Sequence, residues 1–417
     1  MGELLKPVTE RLPPPGEPAT GHGAAITLAL CAASALMEGF DTQAMGVVAP
    51  RVAAEFGLSA AYSGLIFSAA TFGLFLGAAS GGRLADHFGR KRALVGSLGV
   101  FGLCSLLTAA SSSAEFLLVA RLLTGLGLGG AMPNFIALAS EATRAERRVS
   151  AVTLVMAAMP MGGATAALLA LGAQLGWGWR SIFIVGGTAP ICLAVLIARV
   201  LPQAHRAGRG AAPPGVPRVA PVGEVLFGSA RGATTALLWI SFFFTQLVLL
   251  LMLNWLPSLI VGLGFSRTDA SWASICFNLS GSLGAALLGR SHAGRRRRAW
   301  VIATYAGMAV SLGAVSAVGT RFALVAAACA VCGVFIIGAQ LVLFALAPLY
   351  YPFAVRGTGV GAAVAAGRLG SVVGPLFAGG LLATGSASST VLLAIVPFVV
   401  IGGAAAYALT WRPQVAS

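Results

Sequence analysis

The sequence predicts an all-α membrane protein of twelve transmembrane helices in two pseudo-symmetric six-helix bundles. Three observations predict it. Of 417 residues, 58% are hydrophobic and only 9% charged, whereas a soluble protein of this size carries roughly 25% charge to cover its surface. Apolar runs long enough to cross the roughly 30 Å hydrocarbon core, about 20 residues each, recur twelve times. A weak internal repeat relates the two sets of six. The net charge of +15 does not indicate nucleic acid, because the arginines sit in short turns between apolar runs and form no basic stripe.

The runs lie near 24–49, 62–85, 92–112, 116–140, 149–172 and 181–200, then 234–261, 270–289, 299–318, 322–347, 357–383 and 389–411. The chain therefore divides into a tail (1–23), a first bundle (24–200), a linker (201–232), a second bundle (233–411) and a short tail (412–417). The linker is rich in Pro, Gly, Ala and Arg and has no apolar period. Residues 1–22 are polar, Pro-rich and carry Glu3, Glu10 and Glu17, unlike a cleavable signal peptide.

Loops after even-numbered spans hold Arg83, Arg90, Lys91 and Arg92, then Arg144, Arg147 and Arg148, then Arg295 to Arg298. The opposite loops offer little beyond Arg51, Arg180, Arg267 and Arg321. Positive charge is retained on the cytoplasmic side, so both termini are expected there, in a bacterial inner membrane. A shift of 208 residues lays Arg148-Val149-Ser150-Ala151-Val152 on Arg356-Gly357-Thr358-Gly359-Val360 and Gly162 on Gly370. Each segment opens the fifth span of its half, as expected if a substrate path runs between related halves. Gly73, Gly77 and Gly81 in the second span, and Gly125 and Gly129 in the fourth, recur every four residues, a spacing that lets helix backbones approach closely.

The turn after the second span reads Gly82-Arg83-Leu84-Ala85-Asp86-His87-Phe88-Gly89-Arg90-Lys91. It resembles the signature loop of the major facilitator superfamily, with His87 where arginine is usual. The resemblance implies that fold, with Asp86 latching the halves on the cytoplasmic side; a topology-setting basic turn is the plainer reading. The matching turn of the second half has Ser291 where the acid would stand. Within the superfamily the chain resembles the aromatic acid:proton symporters. The residues carrying that resemblance are Glu38-Gly39-Phe40-Asp41, Arg121 through Asn134 ending at Glu141, Asn254-Trp255-Leu256-Pro257, Gly338-Ala339-Gln340, Arg356 through Gly361 and Gly367-Arg368-Leu369-Gly370. Met37-Glu38-Gly39 and Ala345-Leu346-Ala347-Pro348 are most similar to the 3-(3-hydroxyphenyl)propionate branch.

Of twelve acidic residues only Glu38 and Asp41 lie deep in a span. A charge there costs about 2.5–3.5 kcal/mol on insertion scales, so such residues face a wet cavity or a partner. Two carboxylates at i and i+3 share a helix face and do not both ionise easily in low dielectric, which suits proton coupling. A structural pair neutralised by Arg121 is the alternative. Arg121 and Arg368, one from each half, present planar cations suited to a carboxylate. Arg368 is read as a substrate anchor or a coupling residue, Arg121 as a partner of Asp41 or a direct substrate contact. Gln340, Asn254, Asn278 and Asn134 could bind a ring hydroxyl or simply bridge helices, and Phe40 and Trp255 could stack on an aromatic ring. Arg90, Glu141 and Arg356 join Asp86 as expected gating residues.

The resulting expectation is a proton-coupled importer of a small aromatic carboxylate of hydroxybenzoate or hydroxyphenylpropionate type. It would act as a monomer in lipid, with the proton as coupling ion, no cofactor or metal, no nucleic acid and no enzymatic activity. The competing readings are a proton-coupled drug or metabolite antiporter and, more remotely, a non-transporting membrane sensor. Met159-Pro160-Met161-Gly162-Gly163 lacks the Gly-Pro-x-x-Gly-Gly spacing of such antiporters. No phosphate-binding G-x-x-x-x-G-K-[ST] loop exists for an ATP-driven pump. The six cysteines read as packing residues.

Overall fold

A computed structural model describes residues 21–144, 147–172, 176–201, 222–228, 231–291, 297–317, 319, 321–352 and 355–413. Most of the expected tail and linker lies outside that set, as do Arg295 and Arg296 and the side chain of Asp86. The first half comprises α1 (Gly21–Phe56), α2 (Ala60–Phe88), α3 (Arg90–Ala109), α4 (Ala114–Glu141), α5 (Arg148–Gly172) and α6 (Arg180–Val200). A short α7 (Val222–Phe227) precedes the second half: α8 (Gly232–Gly262), α9 (Arg267–Ser291), α10 (Arg297–Ala317), α11 (Phe322–Leu346) and α12 (Arg356–Ala383). The twelfth crossing is a pair, α13 (Ser388–Ala394) and α14 (Val396–Leu409).

Local chemistry sets the helix ends. Ser59 and Ser113 cap α2 and α4 by accepting from the amides of Tyr62 and Phe116, each at 3.2 Å. At the start of α9, Ser266 and Asp269 form a capping box: the Ser266 amide donates to the Asp269 carboxylate and the Asp269 amide to the Ser266 hydroxyl, both at 3.1 Å. Gly89, at φ 87°, makes the sharp turn from α2 to α3 that other residues adopt only with strain. The expected single helix over 389–411 breaks at Ile395. Pro397 falls in the first turn of α14; further inside a continuous helix it would lack an amide and crowd the carbonyl of Leu393.

Among the described residues eleven helical stretches are long and apolar enough to cross a membrane. Helix α9 carries Ser271, Ser274, Asn278, Ser280 and Ser282. These serve contacts and the cavity inside the protein.

The halves repeat one packing scheme. In the first, α1 packs on α5, α2 on α4, and α3 on α4 and α6; in the second, α8 packs on α12, α9 on α11, and α10 on α11 and α14. The repeat-related glycines occupy matching places: a Cβ at Gly162 would strike the Leu36 carbonyl of α1, and one at Gly370 the Phe243 carbonyl of α8. Cβ atoms at Gly73, Gly77 and Gly129 would likewise collide with backbone of the opposite helix at the α2–α4 crossing. Between halves, α2 packs on α12, α5 on α9 and α1 on α8. These contacts reach toward the end away from the termini, where the Ser68 hydroxyl donates to the Val372 carbonyl at 2.7 Å and Gly379 lies against Gly64.

Gly125→Ala would drive a methyl into the Ala70 carbonyl, whereas a Cβ at Gly99 on α3 meets nothing within 4 Å. The expected cost of the first is about 1–3 kcal/mol. Thermal melting of the detergent-solubilised variants should show Gly125→Ala clearly lowered and Gly99→Ala unchanged or raised.

Candidate functional site

A cavity of about 210 Å³ lies between the halves. It is walled by α1, α2, α4 and α5 from the first half and by their repeat equivalents α8, α9, α11 and α12 from the second. Its walls are mostly apolar, including Met45, Met132, Met156 and Met159. Against them stand Glu38, Asp41, Arg121 and Arg368, all of which the structure brings to this one chamber.

The four charges are not equivalent. Arg121 grips Asp41 in a two-pronged ion pair, Nη1 to Oδ1 and Nη2 to Oδ2 both at 2.9 Å, with 2% and 0% of the side chains exposed. Its Cζ also sits 5.5 Å from the Phe183 ring centroid. Such a fork satisfies a carboxylate from α1 with a cation from α4 and fixes both rotamers. Glu38 is 1% exposed, and neither carboxylate oxygen has a hydrogen-bond partner. Arg368 is half-buried, donates to the Met132 sulfur at 3.0 Å and acts on Glu38 through its charge. Among the described residues no carboxylate is salt-bridged to it.

Five amides line the chamber with different degrees of satisfaction. Gln43 and Asn278 form a reciprocal pair across the halves, with Gln43 Nε2 donating at 2.6 Å and Asn278 Nδ2 at 2.7 Å. Gly163 on α5 leaves the room, since a Cβ there would lie 2.8 Å from the Asn278 oxygen. The amide oxygens of Gln246 and Gln340 are buried and unbonded. A fifth amide, Asn254, donates to the Leu250 carbonyl at 2.8 Å, and Asn134 to that of Gly130 at 2.7 Å; Asn254 lines the cavity and Asn134 does not.

Phe40 and Trp255 lie away from the chamber. Phe40 packs toward Gly186 of α6, and Trp255 donates to the Pro375 carbonyl at 3.0 Å while meeting Phe67 edge-on at 5.1 Å. The rings on the cavity wall are Phe67 and Phe344. Nothing in the sequence separates those two from the other phenylalanines, and Gln43 and Gln246 likewise carry no motif.

At the terminus-bearing end, Arg90 and Glu141 form an exposed ion pair between the start of α3 and the end of α4. Lys91 donates to the Ala198 carbonyl at 2.8 Å, near the end of α6. Arg356 donates to the Tyr351 carbonyl at 3.5 Å. Among the described residues no cluster of His, Cys, Asp and Glu could hold a metal ion.

Residues 31–375 match the Major Facilitator Superfamily family model. The chain is 42% identical over 388 residues to the 3-(3-hydroxy-phenyl)propionate transporter of Escherichia coli (strain K12), covering 93% of this chain and 94% of that protein. It is 33% identical to the gallate transporter and 32% identical to the 4-hydroxybenzoate transporter of Pseudomonas putida, covering 86% and 88% of each chain respectively. A solved bacterial homolog of the human lysosomal transporter Spinster, inward-facing and occupied, superposes with a TM-score of 0.76 at 16% identity, over 94% of this chain and 100% of that one. The inward open xylose transporter XylE of E. coli gives 0.73, also at 16% identity, over 94% and 97%. These two similarities bear on the fold alone. The protein is a multi-pass membrane transporter and not an enzyme. With matching halves, a chamber at their interface and relatives of this closeness, the chain belongs to the major facilitator superfamily, in the branch that holds these aromatic acid transporters.

Proposed function

We propose that the protein imports an aromatic carboxylate together with one or more protons, by rocking its halves around the central chamber in a bacterial inner membrane. The observation that carries this reading is the pairing of Arg368, a cavity cation with no salt-bridged carboxylate, with Glu38, a buried carboxylate with no donor. The relatives named for hydroxyphenylpropionate, gallate and hydroxybenzoate support the substrate class.

The coupling follows from electrostatics. A carboxylate stripped of water and hydrogen bonds is expensive to keep ionised, and only the field of Arg368 offsets that cost for Glu38. A substrate carboxylate arriving on Arg368 cancels that field and adds a like charge. Glu38 then takes up a proton, so anion and proton load together. Loss of the proton restores the attraction between Glu38 and Arg368 and expels the anion. Asp41 serves differently. Locked to Arg121, it joins α1 to α4 and keeps that guanidinium from competing for substrate.

The basic loops favour cytoplasmic termini. On that reading the closed seam at Gly64, Ser68, Val372 and Gly379 faces outward, and the structure is the inward-facing member of the cycle. Outward opening must part the Gln43–Asn278 pair or carry it into a new arrangement. Arg90–Glu141 stiffens one half at the cytoplasmic end, and Asp86 and Arg356 are assigned to the gate there.

Three substitutions test these roles in proteoliposomes. Glu38→Gln should abolish accumulation driven by an imposed pH gradient while sparing substrate exchange; normal accumulation would refute the proton assignment. Asp41→Asn leaves Arg121 buried without its counter-charge, a loss of about 3–5 kcal/mol for a broken buried pair. It should lower the melting temperature and depress exchange as well as accumulation. Arg368→Gln should weaken binding of carboxylates by about 10–100-fold, the worth of a charged hydrogen bond, while affecting the matching amides far less.

A further inference from the structure

We infer that Gln246 and Gln340 form a subsite that receives a hydroxyl on the ring of the transported acid and so sets the preference for hydroxylated over unsubstituted aromatic carboxylates. This rests on the reading of the chamber as an aromatic carboxylate site, and names the feature of the substrate that the second half recognises.

Both side chains line the chamber, from α8 and α11, and are only 6% and 8% exposed. Each leaves its amide oxygen buried without a partner. Their contrast with the other amides is informative. Gln43 and Asn278 satisfy one another, and Asn134 and Asn254 bond to backbone one turn earlier. A buried acceptor without a donor is costly, so two of them lining one cavity mark a place that a ligand completes.

The ligand group must donate. An ionised carboxylate cannot, and an ammonium would bring a third cation into a chamber that already holds Arg121 and Arg368. A neutral hydroxyl fits both restrictions, and because it donates and accepts it serves the amide in either rotation. The surroundings suit a ring carrying it. Phe344 lies one helical turn from Gln340, so both reach the cavity from one face of α11. Gly367, next to Arg368 on α12, leaves space for Gln246: a Cβ there would come 3.0 Å from Gln246 Cγ. The backbone that presents the carboxylate anchor therefore also seats one of the two hydroxyl acceptors.

The test compares three acids of one skeleton: 3-(3-hydroxyphenyl)propionate, 3-phenylpropionate and 3-(3-fluorophenyl)propionate, whose fluorine cannot donate. Binding to the purified full-length protein is measured by competition in substrate exchange. The unsubstituted protein should favour the hydroxylated acid over both others by about tenfold or more. In Gln246→Met and Gln340→Met that preference should fall by about tenfold, through loss of the hydroxylated acid with the phenyl acid held or improved. Equal weakening of all three acids, or an unchanged preference, overturns the inference. The fluoro acid needs no variant, so it decides even if both substituted proteins misfold: binding as tight as the hydroxylated acid overturns the inference. If the unsubstituted protein takes none of the acids, the aromatic carboxylate reading fails, and this inference with it.

Discussion

An ionised group inside a membrane must be matched by another charge, and the architecture of the chamber follows from how that demand is met. Two carboxylates and two guanidinium groups share one space of about 210 Å³. One pair is matched internally, charge against charge, through both Nη atoms of Arg121. The other is matched only at a distance, which is what the proposed exchange with a proton and an anion requires. Both carboxylates come from α1, whereas the unmatched cation and the unmatched amides come from the second half. On the proposed reading, proton handling and guest recognition fall on opposite sides of the interface.

Lipid supplies no hydrophobic drive for helices to associate, so this arrangement depends on backbone approaching backbone. The glycines at the α2–α4, α1–α5 and α8–α12 crossings fill that need inside each half. Between the halves glycine again meets backbone, Gly46 at Asn254 and Gly64 at Pro375, beside the Ser68–Val372 hydrogen bond, the Gln43–Asn278 amide pair and the edge-on Phe67–Trp255 contact. Each bundle is keyed together by shape. The seam adds hydrogen bonds between side chains of the two halves to the same close approach.

Much of this is readable from the residues, for physical reasons. Glu38, Asp41, Arg121 and Arg368 stand out because a charge in an apolar run is expensive, and the structure gathers all four. The repeat places Gly162 and Gly370 in matching roles because the same crossing is built twice. Phe40 and Trp255 mislead for a geometric reason. A helix turns about 100° per residue, which carries Phe40 and Trp255 off the faces on which Glu38, Thr42, Leu250 and Asn254 line the cavity. Gln43, Gln246 and Phe67 escape notice because an uncharged polar or aromatic residue in a span is common, and only the assembled helices show which face is wet. The break at Ile395 follows from Pro397, whose position in the first turn of α14 is visible only once the helix start is known.

The polarity of α9 has a consequence for biogenesis. With serines and an asparagine between Ser271 and Ser282, this segment is the least apolar of the long helices and gains less from the bilayer than its neighbours do. Packing against α8 before it and α11 across from it covers those polar groups, which favours its entry alongside them. Lesions that add polarity to α9 would therefore surface as poor membrane yield and proteolytic clearance, well before any altered handling of the cargo could be observed.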